Sequence, residues 1–188
     1  MVRSDAARNR VRVLEAARVL VGRDGPDVRM DAIAAEAGVA VGTLYRHFPT
    51  KEALVAAVVE DSIDHLADRA ERALASVDAG ADPWAELQSL IREVAESYAR
   101  DRAVKAAAAS LGAEVHVDPS EGGTTAARAM AAVDLVVRSA RDAGALRSDV
   151  TTDDLLLVLT QVPDEAVTGP GSLDRYLRVV LRGLGTFH

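Results

Sequence analysis

Apolar residues in the first part of the chain recur at three and four positions. Val13, Leu14, Ala17, Leu20 and Val21 fall on one face and Arg8, Arg12 and Glu15 on the other, which is the period of an amphipathic helix. Ser4 is a good N-cap for it, and Gly25-Pro26 stops it. A short second helix is predicted from about Met30 to Ala37, with Ile33, Ala34 and Ala37 inward, and Gly38 supplies the positive φ of a tight turn that Val39 plugs. A third helix of barely two turns, roughly Val41 to His47, buries Leu44 and Phe48. Pro49 ends it, because proline disfavours helical geometry in the residue before it. Thr50 caps a long fourth helix from 51 to about 75, striped by Leu54, Val58, Ile63, Leu66, Ala70 and Ala73.

After a break at 78–83, a fifth helix carries Trp84, Leu87, Ile91, Val94, Ala95 and Tyr98 on one stripe. A separate alanine-rich helix is predicted at 103–111, then a loop at 112–123 marked by proline and paired glycines. A seventh helix, about 124–143, presents Ala126, Met130, Val133 and Val137. The eighth, 152–162, is apolar nearly all round at Leu155-Leu156-Leu157-Val158-Leu159, as a helix covered on both sides would be. Thr168-Gly169-Pro170-Gly171 breaks the chain, and Ser172 caps a ninth helix with Leu173, Leu177, Val180, Leu181 and Leu184 on one side. No segment alternates as a strand should. The fold class is therefore all-α, with about nine helices.

Composition narrows the function. An apolar fraction of 49% in 188 residues can bury a real core, and the absence of cysteine excludes disulfide scaffolds, thiol nucleophiles and cysteine-bound metals. The charged N-terminus and the lack of any long apolar run lead us to expect a soluble cytoplasmic protein with no membrane partner. The net charge of −7 conceals an asymmetry, since residues 1–51 sum to +3 and residues 52–188 to −10. A small basic unit can sit on a polyanion while an acidic body stays away from it.

Helix, glycine turn, short helix is the helix-turn-helix layout, whose second helix enters the major groove. Such a helix must be thin at its N-terminus, as Ala40, Val41 and Gly42 allow, while Thr43, Tyr45, Arg46, His47 and Lys51 supply donors for phosphate oxygens. The same periodicity also fits a plain helix corner with a solvated polar face. The run from Gly38 through Thr43-Leu44-Tyr45-Arg46-His47-Phe48-Pro49-Thr50-Lys51 to Leu54, preceded by Asp31-Ala32-Ile33-Ala34-Ala35-Glu36-Ala37, resembles the DNA-binding signature of the TetR family of bacterial transcriptional regulators. The resemblance covers roughly residues 5–60. It implies that Thr43, Tyr45, His47 and Lys51 contact phosphates and that Val41, Gly42 and Arg46 lie nearest the bases. Arg29 departs from the family's usual threonine. An arginine cannot cap the second helix, so Arg29 is expected to reach a phosphate directly.

On that resemblance, residues 1–50 form the helix-turn-helix DNA-binding domain, helix 51–76 connects, and 51–188 form a ligand-binding and dimerisation domain. The expected partners are palindromic double-stranded operator DNA, a small-molecule effector and a second copy of the chain. One two-turn recognition helix reads only a few base pairs, so specificity needs a second copy displaced by turns of DNA, roughly 34 Å each. The apolar stripes of the last two helices suit that interface, at Leu155, Leu159, Leu173, Leu177, Val180, Leu181 and Leu184. Trp84, Tyr98, Met130 and Asp134 are candidates for an effector cavity, since such pockets are apolar with a few polar groups between helices. Core packing is the plainer account of each. The protein is expected to be a regulator, most simply a repressor released by its ligand, with no enzymatic activity, cofactor or metal.

The alternative function is a helical metal-binding protein or enzyme built on Asp61, Asp64, His65 and Asp68, which bring carboxylates to a histidine at helical spacing. A di-metal bundle site needs that motif twice, and no second carboxylate–histidine pair occurs on another helix, so a solvated acidic face is expected there. Glu114-Val115-His116-Val117-Asp118 offers three ligand types at alternate positions but lies in the predicted loop.

Overall fold

The structure is a computed structural model and describes residues 2–113 and 124–186. The regular elements in it are helices: α1 (Val2–Asp24), α2 (Met30–Ala37), α3 (Val41–His47), α4 (Lys51–Asp78), α5 (Pro83–Leu111), α6 (Thr125–Asp142), α7 (Thr152–Thr160), α8 (Glu165–Thr168) and α9 (Ser172–Leu184). The all-α expectation holds. An isolated antiparallel bridge, Leu146 to Gly185, ties the end of α9 to the chain after α6.

Three local expectations need correction. The helices predicted around Trp84 and at 103–111 are one element, α5, because no glycine or proline interrupts the chain between them and alanine propagates a helix well. Ser4 lies inside α1 rather than capping it. Ser172 is the first residue of α9 and Gly171, at φ 76°, occupies the N-cap; the buried serine instead shares a 2.7 Å hydrogen bond with Thr168 at the end of α8. The sequence of Glu114 to Asp118 lies outside the described residues.

The chain divides into two compact units, to both of which α4 and α5 contribute. One comprises residues 2–62 and 100–113. In it α1 packs on α2 and α2 on α3, with Val13, Leu14, Ile33, Leu44, Leu54 and Val58 almost fully buried. The other comprises residues 63–99 and 124–186. Its core joins Leu87, Leu90 and Ile91 of α5 to Val136 and Val137 of α6, Leu155 and Leu159 of α7, and Leu177 and Leu184 of α9.

The turn between α2 and α3 sets the angle of the helix pair. Gly38 sits at φ 62°, ψ 38°. Its N–H donates to Ala35 O at 3.0 Å, and the Val39 N–H reaches back to Ala34 O at 3.0 Å. That is the paired C-terminal bonding of a Schellman motif, which a left-handed glycine makes possible. The carbonyl of Gly38 also accepts from the Arg12 guanidinium at 3.2 Å, so α1 grips the turn as well.

Candidate nucleic-acid interface and internal cavity

In α3 the side chains separate by face. Leu44 is fully buried, with Phe48 just beyond it, whereas Val41 is 42% and Tyr45 47% exposed. Gly42 and Arg46 share the open side, and Thr43 and His47 are half-buried at its edges. Nothing lies within 4 Å of where a Cβ on Gly42 would stand, so the backbone there faces open space. The exposed surface is thus thin at the start of the helix and cationic at its end, where Arg46 and His47 occupy the last turn. Arg10 supports the buried side of this end, with its guanidinium carbon 5.8 Å from the Phe48 ring centre.

Two further candidates are already engaged. The Lys51 ammonium donates to Pro26 O at 2.7 Å and joins the start of α4 to the turn after α1. Thr50 caps α4 as expected, its hydroxyl accepting from Ala53 N at 3.1 Å. Arg29 stands at the N-cap of α2 in extended geometry with no side-chain cap. Its guanidinium forks onto the Asp31 carboxylate at 3.0 and 2.7 Å. The hydrogen bonds hold Arg29 above and Asp31 below their ordinary pKa values, and both remain open to solvent.

The four residues proposed to line one cavity do not come together. Tyr98 and Met130 line an apolar cavity of about 60 Å³, with Leu87, Ile91, Val133 and Leu155 among its walls. Trp84 belongs to a separate groove. Asp134 is bound instead to Arg138 one turn on and to the Thr152 hydroxyl, which donates to it at 3.0 Å. Thr152 itself lines the cavity. No local pattern distinguishes it from any residue at a helix start, because only the packing of α7 on α6 brings it to Asp134.

The expected interface residues also divide. Leu155, Leu159, Leu177 and Leu184 are between 1% and 9% exposed in the core of a single chain, so they are not available to a partner. Leu173, Val180 and Leu181 are half-buried against the same core. The apolar residues these helices leave outside are Leu156, Leu157 and Val179, at 38%, 65% and 72% exposure. The alternative acidic cluster does not assemble either. Asp61 turns to Arg18 at 3.1 Å, Asp64, His65 and Asp68 are exposed, and among the described residues no three His, Cys, Asp or Glu side chains are placed to hold a metal ion.

Two family models match the chain: bacterial regulatory proteins of the tetR family over residues 13–58, and the C-terminal domain of SbtR-like transcriptional regulators over residues 82–186. The chain belongs to the TetR family. A TetR transcription regulatory protein from Mycobacterium vanbaalenii is 34% identical and superimposes with a TM-score of 0.77 over 99% of this chain and 100% of its own. A TetR transcriptional regulator from Streptomyces coelicolor is 26% identical, with a TM-score of 0.72 over 95% of this chain and 99% of its own. The HTH-type transcriptional repressor KstR of Rhodococcus jostii is 32% identical over 56% of this chain and 52% of its own length. The chain therefore spans about half the length of that curated relative. Family membership places the chain among DNA-binding transcriptional regulators. No helix among the described residues is long and apolar enough to cross a membrane.

Proposed function

We propose that the protein is a cytoplasmic, homodimeric repressor whose hold on a palindromic operator weakens when a small apolar molecule enters the Tyr98–Met130 cavity. In this reading, residues 1–50 bind DNA, α4 connects, and 51–188 bind the effector and the second copy. The observation that carries it is the division of α3, which buries Leu44 while leaving Val41, Gly42, Tyr45 and Arg46 open on a face with no bulky side chain at its start. Such a face suits approach to base edges in the major groove.

Thr43, Tyr45, His47 and Lys51 then serve phosphates. Lys51 retains two donors after its bond to Pro26, because an ammonium has three. Arg29 joins them by exchanging Asp31 for phosphate. Leu156, Leu157 and Val179 supply the apolar contact with a two-fold partner, since exposed apolar groups on adjacent helices are covered by association. The cavity walls favour an apolar effector with few polar groups, and the small free volume requires them to part as it enters.

Arg46 is the base-reading residue of choice, since a guanidinium bonds guanine O6 and N7 together and contributes about 1–3 kcal/mol of discrimination. The test is a gel-shift series with the DNA upstream of the protein's own gene and single-base variants of the bound site. Arg46→Ala should relax preference at one base pair per half-site. Uniform weakening across the variants would assign Arg46 to the backbone, and stoichiometric metal without sequence-specific DNA binding would overturn the whole reading.

A further inference from the structure

We infer that the groove floored by Trp84 is a second ligand site, built for a small aromatic acid, a carboxylate or phosphate attached to a flat ring. It is an open groove of about 420 Å³ between the beginning of α5 and the outer side of α9. Trp84, Gln88 and Arg92 follow one another at four-residue spacing along α5, and Asp174, Arg178 and Arg182 do the same along α9. Two helix faces therefore oppose each other with three guanidinium groups and one carboxylate between them.

The charge is what needs a counterpart. Asp174 is engaged by Arg92 at 3.4 Å. Arg178 and Arg182 have no acidic partner among the described residues, although they lie one turn apart on the same helix, where like charges repel. Residues 52–188 carry a net −10, so this net positive cluster runs against the charge of the surrounding chain. Guanidinium forks match carboxylate and phosphate oxygens in pairs, which makes an anion the complementary ligand.

The floor specifies the rest. The Trp84 indole is held in place from below by the core of its unit. It lies so close to Gly185 that a Cβ there would stand 3.2 Å from its Cζ2. Its backbone N–H is fixed by Asp82 at 3.0 Å. A packed aromatic surface beside cationic groups accepts a flat ring by stacking while the arginines take the acid. This site shares no lining residue with the Tyr98–Met130 cavity, and the inference is independent of DNA binding.

Trp84 is the single tryptophan of the chain, so its fluorescence reports on the groove directly. The purified full-length protein is titrated with phenyl phosphate, benzoate, inorganic phosphate and phenol. Saturable changes are expected with the first two, and much weaker responses with inorganic phosphate, which lacks the ring, and phenol, which lacks the acid. Arg178→Ala and Arg182→Ala should each weaken binding roughly tenfold. Asp174→Asn should tighten it several-fold, because Arg92 is then released to the ligand. These side chains are exposed, and circular dichroism checks that each variant keeps its helices. No saturable response below millimolar concentration, equal binding of phenol, equal binding of inorganic phosphate, or binding unaffected by the double arginine variant would overturn the inference.

Discussion

The guanidinium of Arg18 on α1 meets the carboxylate of Asp101 on α5, with Nε 3.2 Å from Oδ1 and the two side chains only 14% and 3% exposed. The second carboxylate oxygen accepts from the Ser62 hydroxyl of α4 at 2.7 Å. Arg18 also donates to Ser62 at 3.2 Å and to Asp61 at 3.1 Å. Burial alone would make Arg18 easier to deprotonate, yet its hydrogen bond to Asp61 and the charge of Asp101 raise its pKa overall. One arginine therefore joins three helices of its unit, α1, α4 and α5, through a charge pair withdrawn from water.

Stranding one member of a buried pair costs about 3–5 kcal/mol, an upper bound here because Arg18 keeps Asp61 and Asp101 keeps the Ser62 hydroxyl. Arg18→Met and Asp101→Leu should each destabilise the protein by up to that much in urea unfolding, and the double variant should recover a large part of the loss. Losses that simply add would show that the two charges act independently.

Lys51 combines a structural bond with a proposed phosphate contact, and two substitutions separate them. Lys51→Ala should lower the melting temperature and reduce the log–log salt slope of DNA binding by about one unit. Lys51→Gln keeps a donor for Pro26 without the charge, so it should restore much of the stability but not the slope. An unchanged slope in both variants would remove Lys51 from the DNA interface.

Leu177 and Val179 lie two residues apart on α9, one 1% and the other 72% exposed. If the outer face of α7 and α9 joins two copies, Val179→Glu should give folded monomers that lose tight operator binding. Leu177→Glu should unfold its unit, because the charge is placed in the core of the chain itself. Sedimentation and circular dichroism distinguish the outcomes, and a Val179→Glu dimer of unchanged affinity would place the interface elsewhere.

Burial lowers the pKa of Lys105, and the charge of Asp101 opposes that effect without reversing it. The folded chain therefore binds fewer protons than the unfolded chain between the lowered value and the unfolded value of about 10.4. Stability from this group should rise with pH through that window. Lys105→Met should flatten the alkaline part of a urea-midpoint against pH profile, and an identical slope in both proteins would show that the ammonium stays hydrated.

The sequence by itself determined the elements that local chemistry specifies. Gly38 has to be left-handed, Pro49 has to end α3, Thr50 has to cap α4, and the spacing of Ile33, Leu44 and Leu54 has to turn those residues inward. These are constraints of a few neighbouring positions, and they suffice for the helix pair and for the family. Only the tertiary structure decided which face of an amphipathic helix meets its own chain. Leu155-Leu156-Leu157 reads as uniformly apolar, yet α7 buries Leu155 and leaves Leu157 at 65% exposure, because its neighbours in the chain cover a single side. The partnership of Arg18 with Asp101, the separation of Trp84 from Tyr98, and the capture of Asp134 by Thr152 likewise depend on contacts between residues far apart in the chain. Periodicity records that a residue has a side, and packing decides what stands there.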